Sequence, residues 1–84
     1  MRITFEQLAF DDFTDWSVIN KAIYKKIILL IKEIKRTPFE GSGMPEALKH
    51  QFSGYWSRRI NLEHRLVYKI LEEEILIISC KGHY

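Results

Sequence analysis

Residues that staple, break or free a backbone are scarce in this chain: 84 residues hold one cysteine, two prolines and four glycines. A single Cys80 excludes an intramolecular disulfide and fits a reducing compartment, so a cytoplasmic location is expected. Apolar runs are short. The longest, 27–31, is far too short to cross a bilayer, and Asp11 and Asp12 interrupt the opening MRITFEQLAFDD before it could form the apolar core of a signal peptide. No membrane partner is expected. Metal ligands are few as well. Cys80 and His83 have a Cys-x-x-His spacing, but His50 and His64 are the other histidines, and no second cysteine or helical HExxH accompanies them. A structural zinc site normally needs four well-spaced ligands, so no metal is expected. The stretch EGSGMP lacks the lysine and the strand-to-helix setting of a phosphate loop. Cys80 itself ends an apolar run, where a thiol is usually inert packing.

What is present describes one small globular domain spanning 1–84. Hydrophobic residues make up 46% and charged residues 29%, enough apolar surface for one modest core. The formal net charge of +2 hides an uneven distribution. Residues 1–20 set Arg2 against Glu6, Asp11, Asp12 and Asp15. Residues 21–36 then set six cations against Glu33 alone, and 45–69 carry Lys49, Arg58, Arg59, Arg65 and Lys69. Such a basic middle suits a polyanionic partner, although a solvated lysine face would read the same way.

The hydrophobic pattern predicts an α+β fold. An alternating segment near Arg2 to Phe5 suggests an edge strand. Leu8, Ala9, Phe13 and Trp16 then fall on one helical face. A second helix follows Asn20, a good N-cap, with Ile23, Ile27, Leu30, Ile31 and Ile34 as its buried stripe and Pro38 as its stop. Ile28 and Leu29 lie off that stripe, which points either to a homodimer contact or to a wider buried face. Residues 37–49 read as a loop. Three β-rich runs, 54–60, 65–71 and 75–80, have gaps short enough for an antiparallel meander. Both helices should pack on one face of that sheet and leave the other available. Alternation places Tyr55, Ser57 and Arg59 on one face and Trp56, Arg58 and Ile60 on the other.

Glu46, Lys49, Arg59, Arg65 and His83 have the side chains for one reaction, attack by an RNA 2′-hydroxyl on the adjacent 3′-phosphate. A carboxylate or a desolvated lysine can take the hydroxyl proton, so Glu46 and Lys49 both stand as candidate bases. A histidine can protonate the leaving 5′-oxygen, and fixed arginines can stabilise the charge that builds on phosphorus. Tyr55, Trp56, Tyr68 and Tyr84 are candidates for stacking on unpaired bases.

Several motifs are also similar to a known family. TPFEG at 37–41, Gly43-Met44-Pro45-Glu46 with Leu48-Lys49, WSRRI at 56–60, EHRLVY at 63–68 and Cys80-x-x-His83-Tyr84 resemble the YoeB-type toxins of the RelE superfamily across nearly the whole chain. The resemblance implies a compact RelE-like fold and ribosome-dependent cleavage of messenger RNA in the A site, with no metal or organic cofactor. It implies neutralisation by a cognate antitoxin and a homodimer. By the same resemblance Glu46 is the general base, His83 the general acid and Arg65 the stabiliser of the transition state. Lys49 and Arg59 hold phosphates, and Tyr84 shapes the site beside His83. Lys81 stands where the family commonly has arginine. The rival reading is a toxin of the same fold that blocks the ribosome or another target by binding alone, which would not need Glu46 and His83.

Overall fold

The computed structural model describes residues 1–82. Strand β1 (Arg2–Phe5) leads into helix α1 (Gln7–Ile19), and α2 (Lys21–Arg36) follows after one residue. Asn20 makes that corner possible. Its backbone N–H closes α1 on the Trp16 carbonyl, and its side-chain oxygen accepts from the amides of Ala22 and Ile23, which otherwise have no partner in the first turn of α2. Beyond Thr37 come β2 (Glu46–Ala47), a 3-10 turn (His50–Phe52), β3 (Trp56–Arg59), β4 (Arg65–Leu71) and β5 (Glu74–Ser79).

Among the described residues the strands form one five-stranded sheet in the order β1-β5-β4-β3-β2. The meander of β3, β4 and β5 is antiparallel, as the short gaps predict. The first strand changes the sheet's character, because β1 pairs with β5 in parallel, Arg2 opposite Glu74 and Phe5 opposite Ile77. The sheet is therefore mixed. The parallel pairing makes β5 an internal strand, in keeping with the unbroken apolar run at 75–78. Strand β2 lies within the stretch read as loop. It has only two residues, too few to leave a periodic signal.

The α2 stripe is buried as its spacing predicts, with Ile27 and Ile34 fully enclosed, and it packs with Leu66, Tyr68, Ile75 and Ile77 of the sheet. Burying one such side chain contributes roughly 1.5–3 kcal/mol. On α1 the face is displaced from the predicted one. Ala9 and Trp16 are buried and Phe13 packs beside them, but Leu8 is 78% exposed. Phe13 stacks between Phe5 and Tyr24 at 5.0 and 4.8 Å, joining β1, α1 and α2 through aromatic contact. Ile28 is half-buried and Leu29 is exposed, so the buried face does not widen to include Leu29. No helix is long and apolar enough to cross a membrane among the described residues.

Candidate active site

Cross-strand partners in an antiparallel sheet share a face, so register decides which side chains meet. Glu46 lies opposite Ser57, and Ser57 opposite Val67. Arg59 lies opposite Arg65, two steps along the same strands. All five therefore occupy the sheet face turned away from Leu66, Tyr68 and the helices. The Glu46 carboxylate approaches the Arg65 guanidinium at 3.8 Å, an attractive ion pair too long to be a hydrogen bond. Its side chain is 67% exposed while that of Arg65 is 22% exposed. Two arginines directly opposite one another repel, and an anion between them would relieve that. Lys49 is exposed on the segment just after β2 and precedes the 3-10 turn, and the Leu48 amide ties this segment to the carbonyl of Tyr55.

The loop that delivers Glu46 is held from beneath by Arg58, which the sequence singles out only as a cation on an apolar face. Arg58 is fully buried. Its Nε donates to the Tyr68 hydroxyl at 3.2 Å. Nη1 donates to Glu33 Oε1 and the Ser42 carbonyl, and Nη2 to the carbonyls of Thr37 and Glu40. The Tyr68 hydroxyl donates to the Pro38 carbonyl at 2.7 Å. The Ser42 amide donates to Glu33 and, with Arg58, holds its carboxyl below the usual glutamate range. Burial pushes the Tyr68 phenol up, against the pull of Arg58. Loop and strand also touch directly. The Arg59 amide donates to the Gly43 carbonyl at 2.6 Å, and a Cβ on Gly43 (φ +83°) would come within 3.0 Å of Arg58 Cβ and the Arg59 carbonyl.

The other flank of the site is the segment after β5. The Arg65 amide donates to the Gly82 carbonyl at 2.7 Å, and the Gly82 amide donates to His64 Nδ1 at 2.9 Å. Thus Glu46, Arg59 and Arg65 are brought together, Lys49 follows on the adjoining segment, and Gly82 is bonded to the Arg65 backbone. His83 and Tyr84 lie outside the described residues. Sequence reasoning gave His64 and Glu33 no part in building the site. The Ser57 hydroxyl is buried on the site face with no hydrogen-bond partner among the described residues.

Two of the proposed stacking aromatics face the wrong way. Tyr68 is fully buried under the Arg58 clamp, and Trp56 packs on the core and against Phe39 at 4.8 Å. Tyr55 remains on the open face, with Lys69 Nζ 5.1 Å from its ring centroid. Cys80 is buried and its thiol is pushed up to about 12, chiefly by that burial and then by Asp12, which makes it a poor nucleophile. Among the described residues no three His, Cys, Asp or Glu side chains gather as a metal site requires.

Residues 5–84 match the family model described as YoeB-like toxin of bacterial type II toxin-antitoxin system. The chain is 50% identical over 84 residues to Toxin YoeB of Escherichia coli strain K12, covering all of both proteins. Its backbone is similar to that of a YoeB/ParE toxin from Agrobacterium tumefaciens, with a TM-score of 0.97 at 41% identity and full coverage of both chains. Two Staphylococcus aureus structures are also similar, a YoeB-YefM complex (TM-score 0.93, 49% identity) and a YoeB dimer (0.94, 48%). Each comparison covers 100% of this chain and 98% of the other.

Proposed function

Because the chain belongs to the YoeB-like toxin family of bacterial type II toxin-antitoxin systems, we propose that it is a ribosome-dependent endoribonuclease that cuts messenger RNA in the A site by general acid–base catalysis, with no metal or organic cofactor. The observation that carries this reading is the exposed Glu46 carboxylate beside Arg65, on a sheet face that also bears Arg59. Glu46 takes the proton of a 2′-hydroxyl, and that oxygen attacks the neighbouring phosphorus. Arg65 neutralises the charge that builds on the phosphoryl oxygens, while Arg59 and Lys49 hold the flanking phosphates. His83 gives its proton to the departing 5′-oxygen. The products are a 2′,3′-cyclic phosphate and a 5′-hydroxyl, so no oxidant, reductant or water is consumed. Glu46 is preferred to Lys49 as base because a lysine base needs desolvation and Lys49 is exposed. Tyr84 shapes the site beside His83, and Tyr55 offers a further stacking surface. Like the Staphylococcus aureus relatives crystallised with YefM and as a dimer, this chain meets a cognate antitoxin and a second copy of itself, in the cytoplasm.

The test is cleavage of programmed ribosomes in EDTA by wild type, Glu46→Ala, Arg65→Ala and His83→Ala. Each variant should lose about 10²–10⁴-fold in rate at unchanged ribosome affinity. Arrest of translation without cleavage, equal in all four, would instead mean a toxin that blocks by occupancy.

A further inference from the structure

Gly82 is gripped at both of its peptide groups, and the grips come from consecutive residues. Its N–H donates to the His64 ring and its carbonyl accepts from the Arg65 amide. His64 is itself fixed. It is 8% exposed, and its ring meets Trp16 edge-on at 4.9 Å. The Asn61 side chain accepts from the amides of Glu63 and His64, and the His64 carbonyl accepts from those of Ile60 and Asn61. Trp16 adds a second anchor by donating from Nε1 to the Cys80 carbonyl at 3.1 Å. A ring from α1 and a ring from the β3–β4 turn therefore hold the two residues that flank Lys81. For Nδ1 to accept, the ring proton must sit on Nε2, which lies 3.6 Å from Glu63 Oε1.

We infer that His64 is a positioning residue for the reaction: through Nδ1 it fixes the Lys81–Gly82 peptide, one residue before His83, while the Arg65 amide holds the next peptide by its carbonyl. This rests on the acid–base reading above, in which His83 is the acid. Histidine is the right residue because the Gly82 amide needs a neutral acceptor at the end of a short, rigid arm. Chain segments beyond the last strand fray unless tied down, and a misplacement of about 1 Å at a reacting group can cost about 10²-fold in rate. His64 does not contact the reacting atoms in this scheme, so its loss should slow turnover without weakening ribosome binding.

The experiment compares wild type, His83→Ala, His64→Asn, His64→Gln and His64→Leu for cleavage at saturating programmed ribosomes, with ribosome affinity and thermal unfolding measured on each. Asparagine puts an acceptor oxygen close to where Nδ1 sits, whereas glutamine carries it one bond further out. His64→Leu and His64→Gln should lose about 10–10²-fold in kcat with KM unchanged, and His64→Asn should recover about tenfold of that loss. If His64→Leu fails to fold, the asparagine and glutamine pair still decides. In the unsubstituted protein, NMR should find the His64 ring proton on Nε2 and the Gly82 amide protected from exchange. Equal rates for asparagine and glutamine, or a protonated Nδ1, would overturn the role of His64 while leaving the ribonuclease intact. A fully active His83→Ala would remove the acid itself, and both readings with it.

Discussion

Arg58 and Arg59 are neighbours of the same type with opposite fates. Strand alternation sends Arg59 to the open face and Arg58 inward, where all five of its N–H donors find oxygen. That division was legible, since spacing alone puts Arg58 with Trp56 and Ile60. Its partners were not, because Glu33 lies 25 residues away and nothing local signals the contact. A pH effect follows from the pair. The Glu33 carboxyl is depressed below its ordinary 4.5 by the Ser42 amide first and then by Arg58. A depressed carboxyl stabilises the fold above its unfolded value, and that contribution is lost as pH falls through the folded one. Wild type should therefore lose more stability to acid than Glu33→Gln, and the two urea midpoints should converge well below pH 4.5. Parallel midpoint curves across that range would refute the linkage. That Glu46, Arg59 and Arg65 lie near one another was legible for a different reason: a short meander brings charged side chains at alternate strand positions onto one face.

At the scale of the element, periodicity succeeded where elements are long. The α2 stripe and its Asn20 cap were legible because sixteen residues repeat one pattern and a single side chain can satisfy two amides. Helix α1 was harder, since its apolar residues outnumber the positions that face the core, and Leu8 and Val18 are left exposed. The contrast gives a stability prediction. Ile34→Ala should cost about 2–5 kcal/mol in urea denaturation, from lost burial plus a cavity that α2 and the sheet cannot close. Val18→Ala, at a position 85% exposed, should stay within about 0.5 kcal/mol. Comparable losses at the two sites would contradict this picture of the core. The parallel pairing of β1 escaped sequence reading because register between distant strands has no local signature.

At the scale of the whole molecule, charge is segregated. Lys26, Lys32 and Arg36 of α2 border a shallow groove beside Leu29, and Glu33, the sole acid of that helix, is turned to Arg58. The basic surface is thus not cancelled from within. Ribosome affinity should fall at least about tenfold between ~50 and ~200 mM salt, as counterion release requires when several phosphates are contacted. A flat salt response would show that α2 is merely solvated. The pairing of β1 with β5 has a consequence of another kind, for the order in which the molecule can come into being. Residues 2–5 leave the ribosome's peptidyl centre first and cannot find their partners until residues 74–77 have followed them. The anchors of Trp16 on Cys80 and of Ala9 on the Cys80 thiol wait just as long. Closing such long loops early brings entropy loss without reward. Any nascent chain that ends before β5 therefore has an unsealed core and a first strand without its partner, so the domain cannot acquire its full shape until its last strand has been made.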